Sequence, residues 1–127
     1  MQRQPIGLVP LVQGGFSLEP QLRAGVLVIT ISGNGDMAAV DPLAFYLKQV
    51  GAVVTDLSIA EVEFDFRQLF FLNSSCLKAF VTWIRDVTEI AGQGFQVRFI
   101  SNPNLYWQRR SLEALQRLAP NVVRIES

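Results

Sequence analysis

The stretch FDFRQLFFLNSSCLKAFVTW, residues 64–83, changes its hydrophobic period half-way along. Up to Phe66 the apolar residues alternate, with Val62, Phe64 and Phe66 falling on one face of an extended segment. Two-residue periodicity is the pattern of a strand with one buried face. From residue 77 the spacing becomes three and four: Leu77, Phe80, Val81, Ile84, Val87 and Ala91 form one helical stripe. Between the two periods, residues 68–72 read as a short apolar loop, and Asn73 or Ser74 supplies the side-chain oxygen that a helix N-terminus needs. Gly92 and Gly94 end the helix. A strand, a loop and a capped helix in this order make half of a parallel crossover unit.

The flanking sequence repeats the unit. Residues 26–32, VLVITIS, are β-branched and aliphatic, as in a strand covered on much of both faces, and the run Gly33-Asn34-Gly35-Asp36 is expected to stop it. Residues 16–23 alternate weakly, and Ala24-Gly25 joins them to that strand as an opening hairpin. Asp41-Pro42 reads as a helix start, followed by Leu43, Tyr46, Leu47 and Val50, with Gly51 placed as the terminating glycine. Residues 52–60 are ambiguous between strand and loop. Residues 95–100 form a further apolar strand. Asn104 is placed to cap a helix running to about Ala119, with Ser111, Leu112, Leu115, Leu118 and Ala119 inward, and residues 122–125 close the chain as a short strand. The predicted order β-β-α-β-α-β-α-β is an α/β fold: a mixed, mostly parallel sheet with helices packed on it. Residues 1–15, with two prolines and three glycines, read as a tail, and residues 16–127 as one domain.

Composition narrows the chemistry. Of the 127 residues 50% are hydrophobic and 17% charged, and eleven basic residues balance eleven acidic ones. Such a chain is neither disordered nor a general nucleic-acid binder, which would be basic. A single cysteine forms no internal disulfide. With no histidine, Ser-His-Asp and Cys-His catalysis and every zinc site that needs an imidazole are excluded. Prolines interrupt the N-terminal apolar residues, and the longest apolar run, residues 26–31, is far shorter than a bilayer span. The expectation is a cytoplasmic protein without catalytic residues, metal or cofactor and with no membrane contact.

The central motif resembles that of the STAS domain, the fold of bacterial anti-sigma-factor antagonists. In that family an apolar loop leads to an Asp-Ser-Ser-Gly-Leu type motif that opens a helix; here the places are taken by Asn73-Ser74-Ser75-Cys76-Leu77. Asp65 falls where the family has a strand-end aspartate, and Gly33 and Asp36 where it has the residues that close the second strand. The resemblance covers residues 16–127 and departs from the family at Asn73 and Cys76. It implies a partner-switching module. The phospho-acceptor would be Ser74, with Ser75 the lesser candidate. The binding partner would be an anti-sigma factor that is also the serine kinase, and a serine phosphatase would reset the switch. The implied contact surface comprises Gly33, Asp36, Phe70, Phe71, Asn73, Ser74, Ser75, Cys76 and Lys78, on a monomer or weak homodimer.

Each of these residues has a plainer reading. Ser74 and Ser75 can simply be helix caps. Cys76, on the flank of the apolar stripe, can be a small packed residue rather than a thiolate, since no histidine is present to act as its base. Gly33-Asn34-Gly35 closes a turn more readily than it cradles a phosphate. Glu61, Glu63 and Asp65 share one strand face and read as its solvated side, although an acid pair or Mg²⁺ site would use the same residues. A phospho-acceptor receiver would carry a lysine after its late crossover strand, whereas Ile100 is followed by Ser-Asn-Pro-Asn. Trp83 and Trp107 are either marginal core residues, with Trp83 partly exposed, or the anchors of a non-phosphorylated scaffold that self-associates.

Overall fold

The computed structural model describes residues 7–127. Six strands form one sheet in sequence order: β1 (Leu11–Gln13), β2 (Phe16–Arg23), β3 (Val26–Gly35), β4 (Glu61–Leu72), β5 (Gln96–Ile100) and β6 (Val123–Glu126). The pairs β1–β2 and β2–β3 are antiparallel; β3–β4, β4–β5 and β5–β6 are parallel. The parallel connections carry α1 (Val40–Asp56), α2 (Ser74–Ala91) and α3 (Tyr106–Leu118). Because every connection advances one strand in the same direction, right-handed crossovers place all three helices on the same face of the sheet. That face carries Leu18, Ile29, Phe64, Phe66, Val97 and Phe99, all buried. The other carries Glu19, Glu61, Glu63, Asp65, Arg98 and Arg124, so the strand alternation follows directly from one-sided covering.

The α/β order and the opening hairpin stand as the sequence predicts. Ala24 and Gly25, both at positive φ, make its two-residue turn. Part of the expected tail is ordered otherwise. Residues 1–6 of it lie outside the described residues, but Leu8 is buried in the core and Leu11–Gln13 forms an edge strand on β2.

The crossover strands run further than their patterns indicate. β3 does not stop at Gly33 but continues to Gly35, and β4 does not end at Phe66 but runs through the expected loop to Leu72. Two register shifts, between Thr30 and Ser32 and between Gly33 and Asn34, each leave an extra residue on β4. Bulges of this kind break the two-residue period: Arg67 and Gln68 are both exposed, as are Phe70 and Phe71.

α1 also departs from expectation. It begins at Val40 after a 3-10 turn (Met37–Ala39) whose first amides are met by Asp36: its Oδ1 accepts from the Ala38 N–H at 3.0 Å. It passes Gly51 and continues to Asp56. Gly51 therefore lies inside the helix rather than after it, and a Cβ there would be in ordinary contact, 3.5 Å, with Trp83 Nε1 on α2. The segment Met37–Asp56 is long and apolar enough, by length and composition, to cross a membrane. Its apolar residues Leu43, Tyr46, Leu47, Val50 and Val54 are, however, buried in the core.

Under α2 the core is aromatic. Phe64 stacks on Phe99 (5.4 Å between centroids) and meets Phe80 and Trp83 edge-on at 5.2 and 5.4 Å. Edge-to-face pairs contribute about 0.5–1.5 kcal/mol each beyond area burial. The stripe on α2 is rotated slightly from the predicted one, so that Cys76 and Trp83 are buried rather than marginal. On α3 the inward residues are Gln108, Leu112 and Leu115, whereas Leu118 is exposed. Leu105, not Asn104, is the residue before that helix.

Candidate functional site

The carboxyl ends of β3 and β4 meet the start of α2, and the motif residues gather there. The Asn73 N–H donates to the Gly35 carbonyl at 2.7 Å, which ties the end of β4 to the end of β3. Asn73 is extended, and its Oδ1 accepts from the Ser75 N–H at 2.7 Å, so Asn73 is the cap. Ser74 is the first helical residue and is exposed. Its hydroxyl makes no hydrogen bond with the described residues. Ser75 is half-buried. The first turn of α2 holds no acidic side chain, so no carboxylate from within that turn answers the positive end of the helix dipole.

Cys76 faces inward. Its Sγ lies 3.7 Å from both the Gly35 and Asp36 carbonyl oxygens. Burial first, and the neighbouring Asp36 charge second, push its pKa up against an opposing hydrogen bond from the Asn73 backbone. The thiol therefore stays protonated and joins the wall behind Ser74.

At this end of the sheet three large apolar side chains are exposed. Met37 is 65% exposed, Phe70 53% and Phe71 48%. Phe71 pairs with Asn34 on β3, and Trp107 Nε1 donates to the Phe70 carbonyl at 2.9 Å, bringing the start of α3 to the same end of the sheet. Asp36 is exposed beside them, and Lys78 is exposed one turn along α2. Gly33 plays a different part. It is at φ +92°, and a Cβ on it would fall 1.7 Å from the Gly15 carbonyl oxygen, so it is a close backbone contact between β3 and the turn joining β1 to β2.

Asp65 is not brought to this site. It lies mid-strand on the uncovered sheet face, where Arg67 holds it through Nε–Oδ1 (3.0 Å) and Nη2–Oδ2 (2.8 Å) contacts. The hydrogen bonds from Arg67 keep its carboxyl below the ordinary value. Glu61 and Glu63 on the same face are both paired to Arg98, at 2.8 and 2.9 Å.

One positioning residue escapes the sequence. Gln108 is fully buried; its Nε2 donates to the Phe66 and Leu69 carbonyls at 2.8 and 2.9 Å, and its Oε1 accepts from the Asn102 N–H at 2.8 Å. Those two carbonyls lie at the bulged part of β4, where ladder partners are lost. Gln108 thus fixes the stretch that presents Phe70, Phe71 and Ser74. Its spacing from Leu112 and Leu115, at i, i+4 and i+7, is the signal that places it inward.

The sequence matches no family model and no curated protein. Solved structures do resemble the fold. An anti-sigma factor antagonist from Mycobacterium paratuberculosis superposes with a TM-score of 0.63 at 22% identity, over 91% of this chain and 90% of that one. The anti-sigma factor antagonist SpoIIAA in its unphosphorylated form gives 0.56 at 17% identity, over 88% and 87%. The Bacillus cell fate determinant SpoIIAA in the phosphorylated form gives 0.55 at 19% identity, over 86% and 89%. The chain therefore has the fold of anti-sigma factor antagonists, as the STAS resemblance implies.

Proposed function

We propose that this chain is a regulatory binding module that antagonises an anti-sigma factor and is gated by phosphorylation of Ser74. The observation that carries this reading is the division of labour at the start of α2. Asn73 performs the capping, which leaves Ser74 exposed and without a structural task. The anti-sigma antagonist fold and the exposed Met37, Phe70 and Phe71 at the same end of the sheet support it.

In this reading the partner seats on the apolar rim and is itself the serine kinase, and a serine phosphatase restores the binding form. A phosphoserine carries about −1.5 to −2 charges at neutral pH. At the first turn it is compatible with the helix, because the dipole and free amides there favour an anion. Its effect falls on the partner, since the added charge stands beside the exposed Asp36 at an end of the sheet that also exposes Met37, Phe70 and Phe71. The chain brings no catalytic group or cofactor of its own, acts in the cytoplasm, and is a monomer or weak homodimer.

The test is phosphate-affinity electrophoresis with a cognate kinase of the anti-sigma type. A mobility shift lost in Ser74→Ala supports the reading. No shift, or a shift that survives Ser74→Ala, sinks the gating step. Ser74→Asp is expected to weaken partner binding at least tenfold by calorimetry while leaving the fold intact.

A further inference from the structure

Between α1 and α2 runs an open groove of about 480 Å³. This is within the range of small-molecule sites, roughly 300–1,000 Å³. It exists because the two helices face each other there with small residues: Ala44, Gly51 and Ala52 from α1 and Ala79 from α2. Trp83 contributes an aromatic wall, and Lys48 and Asp86 stand along the groove as its charged members.

Trp83 sets this groove apart from an ordinary gap between helices. The indole is 95% buried, being 5% exposed, and its Nε1 has no hydrogen-bond partner. The other tryptophan, Trp107, does satisfy its ring N–H. A buried donor left unmet is costly, and native proteins rarely leave one so. The nitrogen lies against the bare Cα of Gly51: a Cβ added there would be 3.5 Å from it. Gly51 is also out of place by propensity, since a glycine inside a helix weakens it relative to alanine. Glycine therefore stands at the turn that faces the indole N–H, which is itself sealed from solvent.

We infer that this groove is a binding site for a small apolar molecule carrying one hydrogen-bond-accepting oxygen, with the Trp83 N–H as its donor. The apolar body lies along Ala44, Ala52 and Ala79. The acceptor reaches the indole through a small outward shift of the α1 turn at Gly51, which has no side chain of its own to place between them. The site is separate from the Ser74 surface and does not depend on its role.

The probe is 6-propionyl-2-(dimethylamino)naphthalene, an apolar fluorophore with a single ketone, titrated into the full chain. Binding is read by its emission and by the two indole N–H resonances in ¹H–¹⁵N spectra, assigned with Trp107→Phe. The expected result is saturable binding with a blue shift and a displaced Trp83 indole signal, the Trp107 signal staying in place. Absence of saturable binding, or displacement of the Trp107 signal alone, overturns the inference. Gly51→Ala adds a methyl in ordinary contact distance and should fold at least as stably as the natural chain, yet bind the probe at least tenfold more weakly. Trp83→Phe keeps an aromatic wall and removes the donor, which should weaken binding by roughly five- to tenfold, the worth of one hydrogen bond. Unchanged affinity in Gly51→Ala refutes the site, and unchanged affinity in Trp83→Phe refutes the donor.

Discussion

Gln108→Leu tests whether one buried amide holds the site in place. Leucine has nearly the volume of glutamine but none of its three hydrogen bonds. The substitution leaves the Phe66 and Leu69 carbonyls and the Asn102 N–H without their partner. A buried group left unsatisfied costs about 1–3 kcal/mol. Asn102 is only half-buried and can turn to water, and leucine gains from its own burial. A net loss of about 2–4 kcal/mol follows. Unfolding entropy of about 2.1 cal/mol/K per residue, over 127 residues, makes each kcal/mol worth roughly 4 °C, so Tm should fall by about 8–16 °C. Urea denaturation followed by circular dichroism measures the loss. Gln116→Leu is the control, because its Nε2 makes a single 3.2 Å bond to the Val123 carbonyl in a half-buried position, and it should lose less than about 1 kcal/mol. Hydrogen exchange should accelerate most at the amides of residues 69–72. A loss for Gln108→Leu no larger than the control's, or unaltered exchange at those amides, would refute the idea that Gln108 fixes this stretch.

Gly33→Ala should cost at least about 2–3 kcal/mol in the same denaturation assay, since it combines a positive φ with a Cβ driven into the Gly15 carbonyl. Gly35→Ala meets the tip of Leu72 at 2.9 Å and the buried Phe16 ring at 3.2 Å, side chains rather than backbone, and should cost less, about 1–2 kcal/mol. Tyr46→Phe should be neutral or stabilising by up to about 1–2 kcal/mol at pH 7, because the Tyr46 hydroxyl is buried without a partner. Burial pushes that hydroxyl from 10.0 to about 12, so the folded state holds the proton more tightly. Its contribution is complete below pH 10 and falls away from pH 10 towards 12, a decline that Tyr46→Phe should lack in alkaline denaturation. Asp65 has the opposite sign: held below the ordinary 3.8 by Arg67, its carboxylate stabilises the fold above about pH 4 and loses that contribution as the pH falls through its lower folded value. The gap between the natural chain and Asp65→Asn should therefore narrow on acidification, and a gap that is constant from pH 6 to pH 2 would contradict the pairing with Arg67.

The sequence alone determines the order of strands and α-helices from residue 16 onward, the crossover helices and the helix start that carries Ser74. Each rests on local physics. Periods of two and of three to four are visible wherever one face of a regular element is covered, as at Val62, Phe64 and Phe66 or along Phe80, Ile84 and Val87. A side-chain cap acts within a turn of its own residue, so the motif Asn73-Ser74-Ser75 marks the start of α2 before any contact is known.

Only the tertiary structure decides the rest, because the cause lies in a distant segment. β3 and β4 extend past their patterned ends because each finds the other there, across bulges that spoil the alternation of Arg67-Gln68 and Phe70-Phe71. α1 runs past Gly51 to Asp56, with Val50 and Val54 on either side of the glycine buried in the core. Asp65 is bound on the far sheet face by Arg67, and Gln108 is drawn inside by two carbonyls that the bulges release. Periodicity records which face of an element is covered; which atoms meet across the cover depends on register and helix approach, and those are fixed only when the whole chain packs.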